Sequence, residues 1–305
     1  MENLLIDFYE LTMGQGYFNK KMQNEVAYFD LFFRRVPDKG SFVIANGVKK
    51  CLEYLQNFSF SDSDIDYLKS LGRFTEPYMD YLKTVKFTGD MWAVEDGTVV
   101  FANEPVITIK APLLEAQLVE TALLLHFNRS SLITTKASRI IRSAEGRGVM
   151  EFGTRRAQGT EAAVDGALDA YIAGAIGTAC TLTGKKYGVP VIGTMAHSFV
   201  QSFETEYEAF RAYAESFPNT CTLLVDTYNT LESGMVNAIK VYNEVLKPMG
   251  KTLKGIRIDS GDLAYLSKKA RKMLDEAGLS DTKIVASNSL DENIIKSLIQ
   301  QGAPI

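Results

Sequence analysis

What the chain has little of narrows the field first. Only two histidines and three cysteines occur in 305 residues. Cys51, Cys180 and Cys221 are odd in number and far apart, with no Cys-x-x-Cys spacing and no histidine cluster beside them. A zinc knuckle or a disulfide framework is therefore excluded, and reduced, buried thiols are expected. No apolar run approaches the roughly 20 residues of a bilayer span. The opening MENLLIDFYE also lacks the basic stretch of a secretory signal, so the expectation is a cytoplasmic protein with no membrane partner. Charge of one sign is scarce as well: the formal net charge is −4, and Lys and Arg are spread along the chain. That leaves no electrostatic footprint for nucleic acid. A small molecule or another subunit is the partner that remains.

What is present is a full complement of apolar residues, 46% of the chain, enough for one large α/β domain or two moderate ones. The first part reads as mixed. Residues 26–37, VAYFDLFFRRVP, have strand character, and KGSFVIANGVKKCLEYLQ runs from strand into helix. Residues 91–112 are rich in Val, Ile and aromatics around an Asp96-Gly97 turn signal, which points to an antiparallel α+β unit. A long helical connection follows, with apolar positions three and four apart.

From about residue 147 a short apolar run, a polar loop and an amphipathic helix recur. The runs are GVMEF, AGAIGTAC, VPVIGTM, TCTLLVD, KGIRID and KIVAS; a short connection follows AGAIGTAC, and after the others helices are expected over 158–172, 202–216, 230–246, 262–277 and 291–301. Phe203, Tyr207, Phe210 and Ala214 share one helix face, and Leu266, Ala270, Met273 and Ala277 another. Asn229 with Glu232 reads as a capping box, and Gly278 and Gly302 as helix stops. GAPI, residues 302–305, looks like the entry to a seventh strand. Six strand-to-helix units imply a parallel sheet with right-handed crossovers, either doubly wound or closing into a barrel.

In a barrel the chemistry gathers where the strands end. The successive runs deliver Glu151, Arg155 and Arg156; Gly177 and Thr178; His197 and Ser198; Asp226; Arg257, Asp259 and Asp262; and Ser287 and Asn288. A lone histidine is more often a structural hydrogen-bonder, but His197 stands at a strand end among hydroxyls and acids, which favours a working imidazole. His126, inside TALLLHFN, reads as structural. Asp259 and Asp262 could cap the helix that follows. Capping needs one such residue, however, and RIDSGD supplies Asp259, Ser260, Gly261 and Asp262 together, a loop suited to an anion, ribose hydroxyls or water-bound Mg²⁺. Of Arg155 and Arg156, one is expected to pair with an acid and the other to offer its fork to a carboxylate or phosphate. Gly153 permits a sharp turn, and Phe152 could stack on a planar ring or simply pack in the core.

EFGTRRAQGTEAA, GTMAHSFVQSF, LLVDTYNT and IRIDSGD, in that order, together with the N-terminal DFYELTMGQGYF and FDLFFRRVP, resemble the nicotinate phosphoribosyltransferase family over essentially the whole chain. The resemblance implies a type II phosphoribosyltransferase. Its fold would be an N-terminal α/β sandwich domain, residues 1–115, joined to an irregular, incomplete (β/α) barrel, residues 116–305, lacking its last strands. It implies a homodimer whose sites are completed by the neighbouring subunit. The reaction would join nicotinate to 5-phosphoribosyl-1-pyrophosphate, giving nicotinate mononucleotide and pyrophosphate in NAD salvage. ATP hydrolysis would be coupled to it through a phosphohistidine, with Mg²⁺ carried on ATP and phosphoribosyl pyrophosphate and no metal ligated directly by the protein.

By the same resemblance His197 is the residue phosphorylated and Asp226 supports it. Arg257 and Asp259, with Ser260 and Gly261, hold the phosphoribosyl group. Phe152 and Arg155 sandwich and orient the pyridine ring, Tyr9 reaches that ring from the partner subunit, and Asn288 contacts ribose. Arg34 and Arg35 are candidates for neutralising pyrophosphate. AGAIGTACTLTG carries no acid, so Thr178 and Arg155 would welcome a carboxylate, and nicotinate is preferred over nicotinamide. Family members continue into a Gly-rich phosphate loop beyond the position of Ile305. The alternative expectation is therefore a catalytically inactive truncated fragment that binds ligand or pairs subunits.

Overall fold

A computed structural model describes residues 3–305. In chain order the first elements are α1 (Phe8–Asn19), β1 (Val26–Leu31), β2 (Val43–Ile44), α2 (Val48–Asn57), α3 (Asp62–Ser70), α4 (Glu76–Leu82), β3 (Asp90–Ala93), β4 (Val99–Val100), β5 (Ile107–Pro112), α5 (Leu113–Leu118) and α6 (Glu120–Ser143). There follow β6 (Met150–Glu151), α7 (Thr160–Ile172), β7 (Gly177–Thr178), α8 (Thr181–Tyr187), α9 (His197–Gln201), α10 (Glu206–Ser216), β8 (Thr222–Leu224), α11 (Met235–Val241), β9 (Gly255–Ile258), α12 (Leu263–Glu276), β10 (Lys283–Ala286) and α13 (Glu292–Gln300). The class is α/β with both antiparallel and parallel sheets. The chain forms two compact units, each discontinuous in sequence. One comprises the residues up to Ser138 with Thr154–Gly174, the other Arg139–Gly153 with Ala175–Ile305.

In the first unit the aromatic and β-branched runs pair antiparallel in the order β1-β5-β3, and β2 pairs with β4. The inward residues of β5, Ile107, Ile109 and Ala111, alternate with half-buried ones, as expected of a sheet with one covered face. They pack with Tyr78, Met79, Leu114, Leu118 and Phe127 into one core. The Asp96-Gly97 turn forms as expected, with Gly97 at φ +95°. Asp96 then accepts from the backbone N–H of Val48, capping α2, whose own preceding residue, Gly47, has no side chain to do so. Buried Ser130, Ser131, Thr134 and Thr135 line α6, where Ser131 and Thr134 bond Asn46, whose amide also donates to Asp169.

In the second unit β8, β9 and β10 form a parallel sheet in the order β10-β9-β8, and β6 pairs parallel with β7. Leu223, Leu224, Ile256 and Ile284 from the sheet meet Phe210, Ala214, Val241, Ala270 and Leu274 from the helices in a single core. The helix face of Leu266, Ala270, Met273 and Ala277 does turn to that core. The repeat departs from expectation in four places. VPVIGTM contributes one bridge, Val191 to Thr178, rather than a strand. Among the described residues GAPI forms no strand. The helix expected over 202–216 begins only at Glu206, as α10, so Phe203 lies before it and packs on the core from a bend. The helix expected over 230–246 is α11 flanked by π-helical turns at Thr230–Gly234 and Tyr242–Leu246.

Capping chemistry explains several boundaries. Asn229 accepts from the N–H groups of Leu231 and Glu232, but its own side-chain amide, not its backbone, meets the Glu232 carboxylate, so the capping box is only half formed. Complete boxes occur at Ser61/Asp64 and Thr205/Glu208. Gly278 and Gly302 end α12 and α13 at φ +73° and +72°. The three cysteines are buried thiols outside any disulfide, and burial pushes those of Cys51 and Cys221 up to about 12. Among the described residues no helix is long and apolar enough to cross a membrane.

Candidate functional site

The parallel register of the second unit sets the site. Leu224 pairs with Arg257 and Ile258 with Ala286. Two further ladder bonds, Val225 N–H to Arg257 O at 3.1 Å and Ser287 N–H to Ile258 O at 3.1 Å, carry the pairing one step past the strands. Asp226, Asp259 and Ser287 therefore leave adjacent strands in neighbouring rows. Because side chains alternate along a strand, Arg257 and Asp259 face the same way, opposite to buried Ile256 and Ile258.

Arg257 holds this rim together. Its Nε donates to Ser287 Oγ at 2.9 Å, Nη1 to Thr194 Oγ1 at 2.8 Å and to Met195 O at 3.1 Å, and Nη2 to Asp259 Oδ1 at 3.1 Å. The guanidinium thus ties β9 to β10 and to the segment immediately before His197. His197 opens the five-residue helix α9. Its Nδ1 lies 3.0 Å from Thr227 Oγ1 and its Nε2 lies 3.5 Å from Asp259 Oδ2.

Asp226 is buried and receives two bonds at one oxygen: Asp259 N–H at 2.8 Å and Ser260 Oγ at 2.5 Å, both to Oδ2. Its Oδ1 is buried without a hydrogen-bond partner. Burial disfavours ionisation of Asp259, but hydrogen bonds from Ser287 and Arg257, with the Arg257 charge, outweigh it and hold that carboxyl below the usual carboxylate range. The rim consequently presents an ionised carboxylate to one nitrogen of His197 and a hydroxyl to the other.

The second cluster of the unit is smaller. Glu151 accepts from Thr178 Oγ1 at 2.6 Å through one oxygen and from the Gly153 N–H through the other. Thr178 is fully buried, and its hydroxyl also accepts from the Cys180 N–H at 2.9 Å. Two sequence expectations change here. The Thr178 hydroxyl is already engaged inside the protein, and an acid does stand against β7, supplied by β6 rather than by AGAIGTACTLTG itself.

Phe152 is half-buried beside this cluster in sequence. Asn288 is exposed at φ +81°, followed by Ser289 at φ +51°, so the chain turns sharply straight after Ser287. Gly261 adopts φ +78°, and an added Cβ there would lie 2.9 Å from Leu266 Cδ1. Asp262 is the N-cap of α12, accepting from Tyr265 N–H at 3.0 Å, so the capping reading applies to Asp262 and leaves Asp259 for the rim.

Other candidates belong to the first unit. Tyr9 is half-exposed and donates its hydroxyl to Glu120 at 2.8 Å. Arg155 and Arg156 are exposed, and neither makes an ion pair among the described residues, contrary to the partner expected for one of them. Arg34 lines a cleft of about 270 Å³ with Asp30, Glu120, Phe29, Phe32 and Leu124, while Arg35 is exposed. His126 is half-buried, its ring 5.9 Å from that of Tyr54, and burial lowers its tendency to protonate. Sequence reasoning passed over Thr227 as a partner of His197, although it directly follows Asp226 at the end of β8.

Comparisons with known proteins place the chain in a family. Residues 4–128 match the model of the nicotinate phosphoribosyltransferase N-terminal domain, and residues 148–303 that of the nicotinate phosphoribosyltransferase family. A nicotinate phosphoribosyltransferase of Mycobacterium tuberculosis is 45% identical over 99% of this chain and 64% of its own length. That of Bacillus subtilis is 47% identical over 99% of this chain and 61% of its own length. The chain thus spans somewhat under two thirds of these relatives. The crystal structure of human nicotinic acid phosphoribosyltransferase superposes with a TM-score of 0.91 at 31% identity, covering 99% of this chain and 72% of that one.

Proposed function

Because the chain belongs to the nicotinate phosphoribosyltransferase family, we propose that it serves to form nicotinate mononucleotide and pyrophosphate from nicotinate and 5-phosphoribosyl-1-pyrophosphate, with ATP phosphorylating His197. The observation that carries the reading is the imidazole held between Thr227 and Asp259 at the end of a parallel sheet. Ionised Asp259 favours the neutral tautomer with its proton on Nε2, which leaves the Nδ1 lone pair to accept from Thr227. Once that hydroxyl turns aside, Nδ1 attacks the γ-phosphorus of ATP. The Nδ1–P bond forms as the bond to the β-phosphate oxygen breaks, ADP leaves, and Asp259 balances the charge that develops on the ring.

Asp226 fixes the RIDSG loop by taking Asp259 N–H and Ser260 Oγ. Arg257 acts by tethering that loop and the His197 segment, with one guanidinium N–H left over for the phosphoribosyl group, and Ser260 and Gly261 present the same loop to that group. Phe152 and Arg155 are assigned to the pyridine ring, Asn288 to ribose, and Tyr9 to a site in the partner subunit of a homodimer. Thr178 orients Glu151 here rather than touching substrate, so the preference for nicotinate over nicotinamide rests on Arg155. An irregular (β/α) barrel with an N-terminal sandwich, and a cytoplasmic location, are part of the same reading.

Mg²⁺ fits as a passenger on the polyphosphates rather than as a resident ion. Asp226 Oδ1, buried and unpartnered, is the free carboxylate oxygen here able to accept from its water shell. When bound, the ion neutralises phosphate charge. The test is mononucleotide formation from nicotinate, phosphoribosyl pyrophosphate, ATP and Mg²⁺. Product is expected with nicotinate and at least about tenfold less with nicotinamide, and a folded protein that gives none refutes the assignment.

A further inference from the structure

We propose that Ser287 is a positioning residue for His197, acting through Asp259, an inference that rests on His197 being the phosphoryl acceptor. Asp259 can serve the ring only if its carboxylate is prevented from rotating. Its Oδ1 is bound by Arg257 Nη2 at 3.1 Å and by Ser287 Oγ at 2.5 Å, and this leaves Oδ2 turned to His197 Nε2 at 3.5 Å. The Ser287 hydroxyl has one proton. Because its oxygen already accepts from Arg257 Nε at 2.9 Å, that proton is directed at the carboxylate and strengthened as a donor.

The backbone explains why Ser287 can do this. Its N–H bonds Ile258 O at 3.1 Å, so its Cα is held on the ladder beside Asp259. Immediately afterwards Asn288 and Ser289, both at positive φ, turn the chain away. The hydroxyl is therefore aimed by a strand on one side and a forced turn on the other. The charged groups facing Asp259 are Arg257 on its own strand, His197 on α9, and Asp226 beyond β8, which takes the Asp259 N–H. None of them replaces the bond to Oδ1 that Ser287 makes. Without the hydroxyl, Arg257 Nε loses its acceptor and Oδ1 keeps only the bond from Arg257 Nη2, so the carboxylate turns more freely and its hold on the Nε2 proton weakens.

The chain has only two histidines, which makes the test direct. With ¹⁵N-labelled histidine, His197→Asn assigns the ring signals, and the tautomer of His197 is read at mildly alkaline pH. The wild type is expected to hold its proton on Nε2, Ser287→Ala to give a mixture, and Ser287→Thr, which keeps the hydroxyl, to resemble the wild type. Phosphorylation of His197 by Mg·ATP should fall roughly tenfold in Ser287→Ala at saturating ATP, the scale expected for one lost bond to a charged group, with the KM for ATP unchanged. If Ser287→Ala unfolds by circular dichroism, Ser287→Cys, of similar volume and a weak donor, takes its place. A wild-type tautomer ratio in the variant lacking the hydroxyl, or a mixture in Ser287→Thr, overturns the proposal. Absence of phosphate labelling in the wild type would defeat the phosphohistidine reading, and a tautomer shift in Ser287→Ala would then still support the positioning role.

Discussion

Replacing Asp226 by alanine should loosen the loop that faces His197, and the structure sets the size of the effect. Oδ2 of this buried carboxylate accepts Asp259 N–H and Ser260 Oγ. Two bonds to a charged acceptor are together worth about 3–6 kcal/mol. Against this stands the relief of Oδ1, a buried oxygen without a partner, at about 1–3 kcal/mol. The net cost centres on about 2–3 kcal/mol within a span of about 0–5, read as a lower urea midpoint at an unchanged slope for the transition of the second unit. Asp226→Asn retains an acceptor for both donors and places its amide where Oδ1 stands, so its cost should stay near 1 kcal/mol. Amide exchange supplies a local reading, with the Asp259 N–H exchanging at least tenfold faster in Asp226→Ala. If Asp226→Ala is as stable as the wild type and Asp259 keeps its protection, the loop is held by something else and the argument fails.

Two other outcomes follow from close packing and burial. Gly234 sits in the π-turn with ordinary helical angles, but an added Cβ would stand 1.8 Å from Val225 O, one residue before Asp226. Gly234→Ala should therefore cost about 3 kcal/mol and depress phosphorylation of His197, and a neutral result in thermal unfolding would show that the turn can shift. In the first unit, burial raises the Asp169 carboxyl to about 6 from an ordinary 3.8. A carboxyl raised in the folded state contributes stability below about pH 4 that is lost as pH rises through about 6. Asp169→Asn, which keeps the bond from Asn46 Nδ2, should be more stable than the wild type above pH 6 by on the order of 2–3 kcal/mol, with the gap closing near pH 4. Parallel stability curves across that range would contradict the burial argument.

How much of this was legible in the sequence differs between the elements. β8, β9 and β10 read clearly because each is a short apolar run closed by a polar residue, and that polar residue is the one the register places at the rim. VPVIGTM has the same composition, yet its neighbour β7 is two residues long, so there is little strand for it to pair with. The π-turns around α11 have no periodic signature distinct from an α-helix, and Gly234, which permits the close approach to Val225, looks like any helical glycine. His197, Asp226, Arg257 and Asp259 stood out as ionisable groups at strand ends. Thr227 did not, and Ser287 read only as a polar group at a strand end, because a hydroxyl in a polar loop carries no pattern until the register shows which carboxylate or imidazole it faces. Thr178 misled in the opposite way. A hydroxyl at a strand end suggested a substrate contact, whereas Glu151 on the adjacent strand already holds it.

The central claim is that His197 accepts a phosphoryl group in the grip of Asp259 and Thr227. Incubation with γ-labelled ATP and Mg²⁺, followed by acid and alkali treatment and peptide mapping, addresses it most directly. The expected result is acid-labile, alkali-stable label on the peptide containing His197, absent in His197→Asn while His126 stays unlabelled. Label undiminished in His197→Asn, or none in a folded wild type, would contradict it.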